Sequence, residues 1–289
     1  MMARAAPKLR TCLLFSTDLS SRCDRALDRA IQLSTQLDAT LVALHVLEND
    51  LLPEPELSRE IETRRVETEA MITASAGRKA IDLSVEVVPG RAAKLVVETA
   101  RANRCRLIVM SPARDDTLGS AILGSTVDRV LRHADQPVLI VKKRCRGPYR
   151  SILVAVDLSE PSAEALKFVK AMFPLARLTV IHAGSAPLPA FLGAMGEAKA
   201  LRAERMEAVK ALIDDALGHG ASKRVDIVVE EGGPEDVVSE QLAVKPADLV
   251  VVGTHGTSGI RRAVIGSTAE RLIQVLPADI LAVRPKSAD

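Results

Sequence analysis

The stretch Leu249-Val-Val-Val-Gly-Thr-His-Gly-Thr-Ser-Gly-Ile-Arg-Arg-Ala-Val-Ile-Gly-Ser-Thr-Ala-Glu-Arg-Leu272 decides how the rest of the chain is read. It opens on four consecutive apolar residues, Leu249 to Val252, mostly β-branched, which suits a strand buried on both faces. Gly253 and Gly256 follow, where a side chain would keep a ligand away from the backbone. Gly266-Ser267-Thr268 then leads into a helical pattern from Ala269 to Val275. Ser267 with Glu270 fits a capping box, so the helix is expected to start there with its N–H groups free. A strand, a glycine-lined loop and a helix N-terminus together predict an anion site.

The same succession occurs earlier. Ser151-Ile-Leu-Val-Ala-Val-Asp157-Leu-Ser159 echoes Leu13-Leu-Phe-Ser-Thr-Asp18-Leu-Ser20, and Leu178-Thr-Val-Ile-His182 echoes Leu41-Val-Ala-Leu-His45. Ile265-Gly-Ser-Thr-Ala-Glu-Arg-Leu272 echoes Leu123-Gly-Ser-Thr-Val-Asp-Arg-Val130, and Asp279-Ile-Leu-Ala-Val283 echoes Gln136-Pro-Val-Leu-Ile-Val141. Matched pairs lie 137 to 143 residues apart, which marks an internal duplication with its boundary near Arg146. Two domains are expected, 1–146 and 147–289. Each alternates strands with helices, the pattern of a parallel sheet covered on both faces, with ligands at the C-terminal ends of the strands.

The spacing Gly-x2-Gly-x9-Gly-Ser, with the Val-Asp-x-Ser end of strand one and the Ile-His-Ala end of strand two, resembles the universal stress protein family over essentially the whole chain. The resemblance implies an α/β fold of two tandem doubly wound domains, each a five-stranded parallel sheet of order 3-2-1-4-5 with helices on both faces. It implies ATP, with Mg²⁺, as the ligand of the second domain. Ala155, Val156, Asp157 and Ala183 would neighbour adenine and ribose, and Gly253, Gly256, Gly266, Ser267 and Thr268 the phosphates. Asp157 is equally readable as a turn residue leading into a helix capped at Ser159. His182 and His45 are expected to pack at strand ends, satisfied by backbone groups. Arg261 and Arg262 either reach phosphates or form a solvated face.

The first half lacks the glycines. Met110-Ser-Pro-Ala113 stands against Gly253-Thr-His-Gly256, with one residue more before Gly124 than before Gly266. Pro112 removes an N–H donor, and Asp115 and Asp116 bring carboxylates towards any phosphate. A degenerate site, or one for another ligand, is expected there.

Composition narrows the function classes. Lys and Arg total 39 against 37 Asp and Glu, and there are four Phe, one Tyr and no Trp. Neither a nucleic-acid field nor a base-stacking platform is built from these. No apolar run approaches the roughly 18 residues of a membrane span, and Met1 to Arg10 lacks the apolar core of a secretory signal, so the chain reads as cytoplasmic. Cys12, Cys23, Cys105 and Cys145 form no C-x-x-C pair and read as small thiols. No Walker A pattern is present and no general base can be named, so a binder rather than an enzyme is expected. Slow ATP hydrolysis stays open, with His255 as the weak candidate. The alternative function is an interaction module whose clefts take another small molecule or a protein. The apolar fifth strands, Val138 to Val141 and Ile280 to Val283, predict an intramolecular pseudo-dimer of the two halves, and a further homodimer is left open.

Overall fold

The computed structural model describes residues 11–48, 53–112, 114–115, 121–184, 194–254 and 265–284. The first repeat runs β1 (Cys12–Thr17), α1 (Asp24–Leu37), β2 (Thr40–Leu47), α2 (Glu54–Ala76), β3 (Asp82–Pro89), α3 (Ala92–Ala102) and β4 (Cys105–Met110). A short ribbon of β5 (Arg114–Asp115) and β6 (Ala121–Ile122) precedes α4 (Ser125–His133) and β7 (Val138–Ile140). The second repeat runs β8 (Ser151–Ala155), α5 (Glu160–Met172), β9 (Arg177–Gly184), α6 (Ala194–Leu217), β10 (Asp226–Glu231), α7 (Pro234–Val244), β11 (Leu249–Gly253), α8 (Ser267–Val275) and β12 (Asp279–Val283).

Packing divides the chain into two compact units at other points than the repeat does. One holds Met1–Met110 with Arg144–Pro148, the other Ser111–Lys143 with Tyr149–Asp289. In the first unit the strands lie in the order β3-β2-β1-β4, all parallel. Leu13, Leu14, Phe15, Leu41 and Leu44 are sealed between α1 and α2 on one side and α3 on the other. These aliphatic runs bury both faces of their strands, as a parallel sheet requires.

The second unit gives the expected order 3-2-1-4-5 as β10-β9-β8-β11-β12, again parallel. Beyond β12 lies β7, the fifth strand of the first repeat, running antiparallel with Leu139 opposite Leu281 and Ile140 opposite Ile280. Val138 to Ile140 and Ile280 to Val283 are apolar and buried, so the rung satisfies their backbone groups without solvent. The connection back to β8 is clamped within this unit. The fully buried Asp279 carboxylate accepts from the Lys142 and Lys143 N–H groups at 2.8 Å each and from the Tyr149 hydroxyl at 2.7 Å. Lys142 Nζ donates to the Ile273 and Leu276 carbonyls, capping the C-terminal end of α8 with a cation.

Three sequence expectations change. The serines placed as helix caps do not cap. Ser159 stands before its helix, as Ser20 does in the first repeat, but their hydroxyls turn back to Asp157 and Asp18. Ser267 is the first helical residue of α8, Gly266 holds the cap position, and Glu270 faces Arg132 instead of closing a capping box. The loop alignment of the two halves also shifts. Leu13 pairs with Leu107 and the matching Ile152 with Leu249, so Ser111, not Met110, stands where Gly253 does. Its distance to Gly124 then equals that from Gly253 to Gly266. Finally, Cys12 and Cys105 are bonded to each other as a disulfide, leaving Cys23 and Cys145 as free thiols.

Candidate functional site

At the C-terminal ends of β8, β9 and β11 the second unit opens a cavity of about 340 Å³. It is lined by Ala155, Val156, Asp157, Ala183, Gly253, Gly266, Ser267 and Thr268, eight of the nine positions singled out from the sequence. Gly256, the ninth, lies outside the described residues, as do His255, Arg261, Arg262 and Asp116.

The turn after β8 is built by Asp157. Its Oδ1 accepts from the Ser159 N–H at 3.1 Å, from the Ser159 hydroxyl, and from Ser162 Oγ at 2.7 Å, while Ser162 Oγ takes the Asp157 N–H at 3.1 Å. Leu158 is driven to φ 65°, a left-handed conformation that a non-glycine residue rarely adopts. Asp157 is therefore the turn residue that one reading foresaw. Its Oδ2, however, makes no hydrogen bond among the described residues, and the side chain is exposed in the cavity wall.

β9 supplies an unused backbone edge. Val156 N–H donates to the Ile181 carbonyl at 2.9 Å, and Gly232 N–H to the Gly184 carbonyl at 3.1 Å. Strand alternation then turns the N–H and C=O of Ala183 away from β10, into the space past the end of β8. Neither finds a backbone partner among the described residues. The Val156 carbonyl that the next rung would use is taken at 2.9 Å by His182 Nδ1, which must carry the proton. His45 does the same for the Thr17 carbonyl at 3.1 Å. Both histidines close strand ends, as expected.

The loop after β11 is stapled at its two ends. Thr254 N–H donates to the Val283 carbonyl at 2.9 Å, and Gly266 N–H to the Thr254 carbonyl at 2.8 Å. This delivers the first turn of α8 to the cavity with Ser267 and Thr268 exposed and no side-chain cap. The free N–H groups and the helix dipole leave a partial positive charge there. Gly253 also packs closely: a Cβ there would sit 3.2 Å from Pro161 Cβ, so the start of α5 would have to give by a few tenths of an ångström. Pattern reading missed the apolar part of the wall: Ile181, Pro234, Val238, Val252 and Leu272. A signal existed in Gly232-Gly233-Pro234, where Gly232 has φ 145° and Pro234 opens α7 beside the cavity.

The matching turn of the first repeat is differently committed. Leu19 repeats the left-handed turn at φ 61°, and Ser20 N–H repeats the bond to Asp18 Oδ1 at 2.9 Å. Cys23 stands in the place of Ser162, its thiol 3.3 Å from Asp18 Oδ1, and Arg22 in the place of Pro161, bound to Asp18 Oδ2 at 3.1 Å. Burial works against the Asp18 carboxylate, but the Ser20 side chain and backbone, the Cys23 thiol and Arg22 outweigh it and hold its pKa below the ordinary value. Both carboxylate oxygens are therefore occupied. Pro112 stands in the place of Thr254 and has no N–H to staple the loop, and Gly124 enters α4 at φ 74° where Gly266 has φ −59°. The shared letters Gly-Ser-Thr hide two different approaches to the helix.

The universal stress protein family model matches residues 12–142 and again 148–284. The chain belongs to the universal stress protein family. It is 30% identical over 228 residues to universal stress protein E of Salmonella typhi, covering 71% of this chain and 69% of that one. With universal stress protein E of Escherichia coli K12 it shares 32% over 201 residues, 62% and 60% of the two chains. A solved universal stress protein from Archaeoglobus fulgidus superposes with a TM-score of 0.71 at 19% identity, over 95% of this chain and 98% of that one. Membership carries a stress-response role, and the tandem α/β architecture is that of the solved relative. Among the described residues no helix is long and apolar enough to cross a membrane, and no three His, Cys, Asp or Glu side chains gather as a metal site.

Proposed function

We propose that the second repeat binds one adenine nucleotide, ATP with Mg²⁺, and that this universal stress protein acts in the cytoplasm as a nucleotide-dependent regulator without efficient turnover. The observation that carries the reading is the joint presence, in one cavity, of the Ala183 backbone edge and the uncapped first turn of α8. A peptide N–H beside a C=O matches adenine, whose ring N1 accepts and whose exocyclic amine donates. Guanine presents the reverse order and mismatches both. The apolar wall of Ile181, Pro234, Val238 and Val252 suits a base, and the volume falls in the range of small-molecule pockets. The reading assigns Asp157 Oδ2 to a ribose hydroxyl, and Ser267 and Thr268 with the helix N–H groups to phosphates.

Mg²⁺, when bound, would offset phosphate charge. It needs only one or two carboxylates besides phosphate oxygens and water, and Asp157 is the carboxylate among the described lining residues. Because Asp157 Oδ1 is already committed to Ser159 and Ser162, the reading assigns it to positioning and not to proton transfer.

Mass spectrometry of ligand released from the purified chain, followed by calorimetry with Mg-ATP and Mg-GTP, tests this. Expected are one adenine nucleotide per chain, preference for ATP, and loss of binding in Gly256→Asp. Unchanged affinity in that variant overturns the phosphate site, and release of a non-nucleotide ligand overturns the nucleotide reading altogether.

A further inference from the structure

Two of the four cysteines lie where strand geometry brings them together. Cys12 opens β1 and Cys105 opens β4, and these strands are direct neighbours. Their register is interrupted at this point: Cys12 faces Cys105, yet the next residue, Leu13, faces Leu107. Arg106 is the extra residue of this irregularity and is exposed. A regular ladder would have set Cys12 against Arg106, so the bulge is what brings the two sulfurs onto one side. Arg104, immediately before Cys105, adopts φ 51° and is also exposed. Cys105 itself is buried, 3% exposed, between these two exposed arginines in sequence. The second repeat has Ser151 in the place of Cys12 and no cysteine at all, so nothing in the shared fold demands the pair.

We propose that Cys12 and Cys105 are a reversible dithiol–disulfide couple, closed by low-molecular-weight disulfides and opened by low-molecular-weight thiols, whose state sets the stability of the unit that holds β1 to β4. In closing, the Cys12 thiolate attacks one sulfur of the small disulfide and releases one thiolate. The Cys105 thiolate then attacks Cys12 Sγ in the mixed disulfide and releases the second. The small disulfide is reduced to two thiols, which take up the two cysteine protons, and the Cys12–Cys105 bond forms. Cys12 is the point of attack because it is the less covered of the two, 8% against 3% exposed, at the first residue of its strand. Exchange therefore needs only that strand end to fray.

The effect on stability follows from what the bond encloses. It joins residues 93 apart, so β1 to β3 lie inside the closed loop and β4 begins at the residue that closes it. A loop of that size removes much of the entropy of the unfolded chain, and the melting temperature of this unit should rise by on the order of 10 °C on closure. Cys23, bonded to Asp18, and Cys145 take no part.

The test uses the full chain equilibrated with oxidised glutathione or with dithiothreitol, then denatured and labelled with a maleimide. Two labelled thiols in the first state, four in the second, a Cys12–Cys105 cross-linked peptide, and full reversal on exchange of buffers are expected. The thermal transition of the unit that holds β1 to β4 should move with the redox state in the wild type and in Cys23→Ser/Cys145→Ser, but not in Cys12→Ser or Cys105→Ser. Four labelled thiols after oxidation, a cross-link through Cys23 or Cys145, or a melting temperature indifferent to the redox state each overturn the proposal. The thiol count on the wild type decides it even where a serine variant fails to fold.

Discussion

Asp279→Ala is expected to destabilise the second unit by about 4–6 kcal/mol. The side chain is wholly buried and its carboxylate accepts three donors, the Lys142 and Lys143 N–H groups and the Tyr149 hydroxyl. A hydrogen bond to a charged group contributes roughly 1.5–3 kcal/mol, and a buried donor left without an acceptor loses about 1–3 kcal/mol. Lys143 is exposed, so water can replace its lost bond, whereas Tyr149 is 4% exposed and packed edge-on against Phe173 at 5.5 Å, so water reaches its hydroxyl poorly. Tyr149→Phe, which removes only that donor, should cost about 1.5–3 kcal/mol. The double variant should fall short of the sum, because the two side chains share one interaction. Urea unfolding followed by tyrosine emission reads this directly, since Tyr149 is the only tyrosine and there is no tryptophan. Because Lys142 also caps α8, nucleotide affinity should weaken in parallel. A loss below about 1 kcal/mol in Asp279→Ala, with tyrosine emission unchanged, would refute the clamp.

Steady-state ATP turnover should lie far below the roughly 1–10³ s⁻¹ of ordinary enzymes, and turnover in that range that is lost in His255→Ala would show a missed catalyst. Arg22→Ala should raise the Asp18 pKa towards 3.8, followed by carboxyl NMR titration, without creating a nucleotide site in the first repeat. The folded value is depressed, so the Asp18 contribution to stability is present above the unfolded value and is lost as pH falls through the folded one; removing Arg22 should narrow that window. We further propose that the repeats form an intramolecular pseudo-dimer through β7 and β12. Fragments 1–146 and 147–289 expressed apart should self-associate and recombine on mixing, and two stable, monomeric, non-interacting fragments by sedimentation would refute this.

The fold was legible because two periodicities repeat in register along the chain. Leu249 to Val252 reads as a buried strand wherever it is met, and its counterpart confirms it. The site was legible at the residues whose type is unusual for their place, such as Gly253, Gly266 and Asp157. It was not legible at Ile181, Val238 or Leu272, because an apolar residue lining a cleft is identical in sequence to one filling a core. Hydroxyl direction was also hidden. Ser159 and Ser267 have the composition of helix caps, yet a neighbouring carboxylate outcompetes the helix N–H for the first, and Gly266 pre-empts the second. The alignment of the two loops is off by one residue in the sequence because Met110 continues the apolar run of β4 and is the counterpart of Val252, not of Gly253.

The contact between Gly253 and Pro161 bears on how the two halves could have come to differ. A Cβ on Gly253 would lie 3.2 Å from Pro161 Cβ, closer than an ordinary contact, so the end of β11 and the start of α5 fit as two faces of one joint. In the other half Ser111 replaces the glycine, and Arg22 and Cys23 replace Pro161 and Ser162. A substitution at the strand end alone would have to move the start of α5 by a few tenths of an ångström, at the turn where Ser162 holds Asp157. The strand end and the helix start are therefore coupled, and a change at one bears on the other. Transplanting glycines alone into the first repeat would leave Arg22 still holding Asp18, so restoring a site there requires exchanging the joint as a whole.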